Sequence, residues 1–134
     1  SRVFQGGLVA ASLLLTGAIL WMRVLSPSAR EQAQNRGVPR YLSIEKIIEA
    51  DSDLPVIVAN PPGYFLASHR PALALPDGDI QTVFAIAERY GARYLILEEG
   101  AVTEGLMPIF DAPAAQKGLI FLEEIEGAKI FAIE

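Results

Sequence analysis

The chain contains no cysteine and a single histidine, and these scarcities remove several kinds of chemistry. Without cysteine there is no disulfide, no thiol nucleophile and no thiolate ligand for a metal ion. The lone His69 stands between Ser68 and Arg70, and adjacent side chains point in different directions, so this triplet is not a catalytic constellation. We therefore predict no catalytic residue, no metal site and no cofactor in this chain.

The chain also lacks nucleotide-binding motifs and an excess of basic residues. Every acidic residue follows Leu25 and the formal net charge is −5, which disfavours binding to a nucleic-acid backbone. The glycines match neither the dinucleotide-binding pattern G-x-G-x-x-G nor the phosphate loop G-x-x-x-x-G-K-[ST]. Two pairs of acidic residues do not require a catalytic role. Glu98 and Glu99 lie at the end of a predicted strand, and Asp77 and Asp79 lie at the start of a predicted helix. No nucleic acid is expected among the partners.

The longest apolar feature is an uncharged run between Arg2 and Arg23. At about 1.5 Å per residue, a helix over this run is about 30 Å long, which matches the hydrocarbon thickness of a bilayer. Trp21 lies near its end, where interfacial aromatic residues are common. Residues 1–25 are therefore predicted to form a transmembrane helix. The alternatives are a buried helix, which would be expected to have a polar face, and a cleaved signal peptide, whose apolar core is usually shorter.

Residues 26–42 form a polar segment that we interpret as a juxtamembrane linker. Pro27 favours a helix start, and Gly37 with Pro39 favours its end, so a short polar helix followed by a turn is expected. The segment carries three arginines: Arg30, Arg36 and Arg40. They either contact lipid phosphates or are simply solvated. Taken alone, this arginine excess indicates a cytoplasmic side.

Residues 43–134 alternate apolar β-branched runs with amphipathic segments, which is typical of a soluble α/β domain. A short helix is predicted to start at Ser43. The runs "LPVIVAN" and "YLILEE" predict strands covered on both faces, and "PALALP" predicts a short strand between them. "PPGYFLASHR" predicts a turn with one helical turn in it. A helix between the second and third strands, capped by Asp77 or Asp79 and ended by Gly91, makes a parallel crossover.

The sequence at the end of the chain predicts an antiparallel hairpin instead of a parallel crossover. A loop with a helical turn around Glu104–Phe110 leads to "LIFLEEIEGAKIFAIE", in which Gly127 and Ala128 separate two β-rich runs. This pattern predicts a hairpin with glycine at the first central position of its turn. The expected architecture is a small three-layer α/β domain with a mostly parallel sheet of about five strands, ending in an antiparallel hairpin.

Four polar side chains follow the first predicted strand of this sheet: Asn60, Tyr64, His69 and Arg70. Open α/β sheets bind ligands outside the carboxyl ends of their strands, so these residues are the predicted ligand-binding site. The prediction is a fold-level analogy, because the four residues do not form a catalytic motif.

The run from Val56 to Glu99 resembles the C-terminal soluble domain of some bacterial multi-spanning membrane glycosyltransferases. These enzymes take sugars from polyprenyl-phosphate donors and include relatives of dolichyl-phosphate-mannose mannosyltransferases. The resemblance rests on Asn60, Pro61, Pro62, Tyr64, Phe65, Arg70, Pro76, Asp77, Gly78, Arg89, Tyr90, Gly91 and Tyr94–Leu97.

The resemblance implies that the chain is the last membrane helix and the accessory terminal domain of such an enzyme. In that family the catalytic acidic residue lies upstream, so none is carried over to this chain. The implied partners are the bilayer, the upstream membrane domain and a polyprenyl-phosphate sugar or its acceptor. The resemblance also implies that the soluble domain lies outside the cytoplasm. The arginine excess of residues 26–42 indicates the opposite side, and we give more weight to the resemblance. The alternative function is a single-span anchored domain that binds a ligand or a protein through residues 60–70.

Overall fold

The computed structural model describes residues 2–20, 37–48 and 53–134. The chain divides into two compact units, Ser1–Arg36 and Gly37–Glu134. In the first unit, helix α1 covers Arg2–Leu20, and residues 21–25 of the predicted span lie outside the described residues. Within the described part of the chain, no helix has the combined length and apolar character needed to cross a bilayer.

The second unit is built on one sheet of five strands in the order β2-β1-β3-β5-β4. The strands are β1 Val56–Val58, β2 Ala72–Ala74, β3 Tyr94–Glu98, β4 Leu119–Ile125 and β5 Ala128–Ile133. β1 pairs in parallel with β2 and β3, whereas β5 pairs antiparallel with both β3 and β4. The α/β class and the five-stranded sheet with its C-terminal hairpin are confirmed. The sheet is mixed rather than mostly parallel, because the hairpin docks onto β3 through its second strand.

Alternation of side chains along the strands creates a core on each face of the sheet. One core packs under helix α4 (Ile80–Tyr90) and contains Ile57, Val83, Ala87, Leu95, Leu97 and Phe131. The other packs under α2 (residues 37–45) and α3 (Pro61–Ser68) and contains Tyr41, Ile44, Val58, Tyr64, Ile96 and Ile130. Helices therefore cover both faces of the sheet, as the predicted three layers require.

Helix α4 begins and ends where its sequence predicts. The Asp79 carboxylate accepts the backbone N–H groups of Gln81 and Thr82 in the first turn of the helix. Gly91 ends the helix with φ +71°, a left-handed conformation that costs glycine little. Of the two predicted capping residues, Asp79 is the cap.

Helix α2 corrects the prediction for the segment before the domain. Gly37 and Pro39, predicted to end a helix, both lie inside α2, and Ser43 lies within it rather than at its start. The Ser43 hydroxyl donates to the Pro39 carbonyl at 3.0 Å, an interaction of the helix interior. Tyr41, two residues before the predicted domain start, is buried in the core.

Two further connections differ from their predictions in detail. The segment after β1 forms the two-turn helix α3 rather than a single turn, because Asn60 caps it and prolines occupy its first positions. The hairpin turn has positive φ at both central residues, +47° at Glu126 and +78° at Gly127. This is the type I′ pattern, so glycine takes the second central position, not the first. The predicted helical turn before the hairpin is present as a 3₁₀ turn at Glu104–Leu106 and helix α5 at Met107–Asp111.

Candidate functional site

Arg70 is buried beneath α2 and forms a two-pronged ion pair with Glu45. Its Nε and Nη2 donate to Glu45 Oε1 and Oε2 at 2.8 and 3.0 Å, while Nη1 donates to the Leu54 carbonyl at 3.1 Å. The guanidinium fork matches the carboxylate, which makes such pairs stronger and more directional than single contacts. The hydrogen bonds to Glu45 raise the pKa of Arg70, whereas burial acts in the opposite direction. Arg70 is 6% exposed, whereas the Glu45 side chain is 20% exposed, so the pair lies at the partly buried margin of the domain.

Tyr64 joins the same carboxylate from α3. It is fully buried, and its hydroxyl donates to Glu45 Oε1. Burial raises the pKa of Tyr64 strongly, and the adjacent Glu45 carboxylate raises it further. Tyr64 is therefore held as a neutral hydrogen-bond donor, which is what a carboxylate beside it requires.

A second polar cluster lies at the other end of α2. Arg40 forms an ion pair with Glu98, and the Tyr41 hydroxyl donates to Glu98 Oε1 at 3.1 Å. Burial raises the pKa of Tyr41, and the Glu98 charge adds to that effect. Glu98 is 4% exposed although it is charged, so its two partners compensate a costly burial. Arg40 Nε is a buried nitrogen for which the described residues provide no partner.

The rings of Tyr41 and Tyr64 connect the two clusters. Their centroids are 5.0 Å apart and their planes are tilted by 56°, a favourable arrangement for an aromatic pair. We call the six residues together the α2 clamp: Arg40, Tyr41, Glu45, Tyr64, Arg70 and Glu98. The clamp fixes α2 to the carboxyl end of β3 at Glu98 and to the chain entering β1 at Leu54.

The structure separates the four predicted ligand residues into two pairs. Tyr64 and Arg70 meet at Glu45 and direct polar atoms inward. Asn60 caps the start of α3, where its side chain accepts the Gly63 N–H at 3.1 Å, and His69 caps the other end with φ +60°. Asn60 and His69 are exposed, and ligand binding at these residues stays a prediction.

The carboxyl ends of β1 and β3 lie at the place where doubly wound sheets bind ligands. The chain leaves β1 toward α3 on one face of the sheet and leaves β3 toward Leu106 and Ile109 on the other. Such a switch of direction opens a crevice between neighbouring strands. Asn60 and Glu98 lie at these two strand ends, and Glu98 is already engaged by the α2 clamp. Among the described residues, no group of three carboxylate or histidine side chains converges as a metal site.

Surface grooves lie along α4, on the face of the sheet opposite to α2 and α3. One, of 540 Å³, is lined by residues that include Phe84, Arg93 and Gly118. Another, of 430 Å³, runs beside β2 and includes Leu73 and Tyr90 in its lining. None of the four predicted ligand residues lines either groove.

Sequence reasoning missed four members of the clamp: Arg40, Tyr41, Glu45 and Glu98. A signal for Tyr41 exists, because the apolar stripe of Ile44 and Ile48 extends back by one helical turn to it. Glu98 is a charged residue ending a strand covered on both faces, which also indicates a buried partner. Comparison of the chain with protein-family models, with curated proteins and with solved structures found no match.

Proposed function

We propose that this chain is the last membrane helix and the C-terminal accessory domain of a bacterial membrane glycosyltransferase that uses a polyprenyl-phosphate sugar. The sequence resemblance suggests the parent enzyme. The α2 clamp is the observation that supports the accessory role, because the polar side chains nearest the strand ends are used to hold helices on the sheet. A domain built in this way serves as a rigid body that packs against another part of the enzyme.

The membrane assignment rests on the apolar surface of α1. Large apolar side chains along this helix are exposed: Val3, Val9, Leu13, Leu14 and Leu15. Covering such a row with lipid acyl chains is favourable by about 25 cal/mol for each Å² removed from water. We propose that the whole predicted span, residues 1–25, of which α1 covers Arg2–Leu20, lies in the bilayer, with the α/β domain on its extracytoplasmic side. The proposed partners are the upstream membrane domain and the sugar donor or its acceptor.

Two measurements test the proposal. After expression of the 134-residue chain in bacteria, extraction of membranes with alkaline carbonate should leave it in the pellet, and external protease should cleave the α/β domain in spheroplasts. Release into the supernatant would contradict the membrane assignment. Sequencing upstream of Ser1 should reveal several further apolar spans and acidic residues in the first large loop. An upstream region without another span would contradict the glycosyltransferase proposal.

A second candidate function is a single-span anchored domain that binds a protein through α3. Phe65 and Leu66 are 48% and 74% exposed between the exposed caps Asn60 and His69, so α3 presents an apolar surface. The upstream sequence separates the two candidates, because this function requires no further membrane span. Retention of binding by a Leu66→Asp variant would count against α3 as the binding surface.

A further inference from the structure

Strand β2 forms the outer edge of the sheet beside β1, and its backbone is open for pairing on the other side. The Pro71 carbonyl accepts an N–H group from β1, and the Leu75 N–H donates to a carbonyl of β1, each at 3.0 Å. Since the direction of hydrogen bonding alternates along a strand, Ala72 and Ala74 direct their N–H and C=O groups away from β1. Another extended chain can therefore bond to β2 at these two residues.

A groove of 430 Å³ lies between this edge and one side of α4, and we call it the β2 groove. Residues that share this side of the helix at spacings of three and four line it: Thr82, Ala85, Ile86, Arg89 and Tyr90. Among the described residues that line the β2 groove, Arg89 is the only charged one. Glu88 lines the other groove along α4. The β2 groove is therefore complementary to a partner that is apolar apart from one negative charge.

The position of Arg89 gives the groove a direction. Helix α4 carries the chain from the end of β2 back to the start of β3, and both strands are parallel to β1. Arg89 is in the last turn of α4, so it lies toward the start of β2. Asp77 and Asp79 follow the other end of the strand. A strand added antiparallel to β2 would therefore have its carboxyl-terminal side near Arg89 and its amino-terminal side near the two aspartates.

We propose that the β2 groove binds an extended peptide, which adds antiparallel to β2 and carries an apolar residue followed two positions later by an acidic one. In such complexes main-chain hydrogen bonds supply affinity, and alternate side chains supply specificity. The peptide side chain opposite Leu73 lies on the α4 side of the sheet, as Leu73 itself does. The next side chain on that side is two residues further on, toward Arg89. Because prolines flank β2, pairing is confined to Ala72 and Ala74 and the association is weak.

Binding of end-blocked peptides to the complete 134-residue chain in a mild detergent tests the order of the two side chains. Fluorescein-labelled Thr-Val-Thr-Glu-Thr is the probe. Its control is Thr-Glu-Thr-Val-Thr, which has the same composition in reverse order. Fluorescence anisotropy should show that the probe binds about threefold more tightly than the control, or better. Equal affinities, or no binding of the probe at millimolar concentration, would overturn the proposal.

Two variants separate the main-chain contribution from that of the charge. Ala74→Pro removes an outward N–H group while the hydrogen bonds to β1 remain, and it should weaken probe binding about tenfold or more. Arg89→Gln should weaken probe binding about three- to tenfold and leave the affinity for Thr-Val-Thr-Gln-Thr unchanged. Glu88→Gln, on the other side of α4, is the matched control and should not weaken binding.

Thermal unfolding of each variant shows whether the fold is intact. If Ala74→Pro lowers the unfolding midpoint, Arg89→Gln decides alone, because Arg89 is an exposed residue. Full binding by a stable Ala74→Pro variant, or an Arg89→Gln variant that still prefers glutamate to glutamine in the probe, would overturn the proposal. A chain that forms dimers without peptide, and loses them in Ala74→Pro, would assign this edge to a second copy and would also overturn it.

Discussion

Arg70 and Glu45 are 25 residues apart in sequence, and their bidentate ion pair joins the end of α3 to the end of α2. Arg70 follows His69, whose left-handed φ of +60° turns the chain inward after α3. Because the guanidinium also binds the Leu54 carbonyl, one side chain ties two helices to the chain that enters the sheet. The stability of this domain face therefore depends on polar geometry as well as on apolar packing.

Replacing Arg70 should destabilise the domain, since Glu45 would keep a partly buried charge without its main partner. We expect Arg70→Met to lower the free energy of unfolding by about 2–4 kcal/mol. The double variant with Glu45→Leu should lose less than the sum of the two single losses, because neither charge is then left alone. Urea unfolding followed by circular dichroism measures all three values. Strict additivity would show that the two residues do not act as a pair.

The buried tyrosines predict a loss of stability at alkaline pH. An unfolded tyrosine ionises near pH 10.0, whereas burial and Glu45 raise the pKa of folded Tyr64 well above that value. The stabilisation is complete below pH 10 and disappears as pH rises toward the folded pKa. Above pH 10 the free energy of unfolding should fall by about 1.4 kcal/mol per pH unit for this group.

Tyr64→Phe is the matched variant for this pH dependence. This substitution should lower the free energy of unfolding by about 1–2 kcal/mol at neutral pH, because Glu45 loses a hydrogen bond. Its stability should then fall less steeply than that of the natural chain between pH 10 and pH 11. Denaturant unfolding at several pH values provides the comparison, and equal slopes would contradict a role for the Tyr64 hydroxyl. Tyr41→Phe should also reduce the slope, since the pKa of Tyr41 is raised as well.

The hairpin turn offers a stabilising substitution. Glu126 has φ +47°, an unfavourable conformation for a glutamate, and asparagine is preferred at this position of a type I′ turn. Glu126→Asn should raise the free energy of unfolding by roughly 0.5–1 kcal/mol. Gly127→Ala should lower it by about 1 kcal/mol or more, because φ is +78° and the new Cβ would lie 3.0 Å from Glu99 Oε2. Thermal unfolding tests both, and a stabilised Gly127→Ala variant would rule out the type I′ turn.

The cap of α4 can be tested against a neighbouring residue. Asp79→Ala removes the acceptor for two backbone N–H groups and should cost about 1 kcal/mol of unfolding free energy. Asp77→Ala serves as the matched control, since it removes the same charge two residues before the cap. Equal losses in the two variants would indicate a general charge effect instead of capping.

The elements predicted well are those whose signals are local. Helix α4 has its cap, its apolar stripe and its terminal glycine within a few residues of one another, and all three agree. The α2 clamp depends instead on Arg40 meeting Glu98, 58 residues away. Nothing local distinguishes this partly buried arginine from a solvated one, and the sequence therefore places Arg40 in a polar linker. The prediction that Gly37 and Pro39 end a helix is wrong for a related reason, because glycine and proline are compatible with either end of a helix.

Helix α2 is the first element of the second unit, so tension on the chain ahead of Gly37 enters the domain through it. Arg40 connects α2 to the carboxyl end of the central strand β3, and Glu45 connects α2 to Arg70, which precedes β2. Extension along the helix axis must therefore break both ion pairs before α2 separates from the strands beneath it. A pulling force applied at Gly37 is therefore resisted by the attachment of α2 to β3 and to the chain that enters β2.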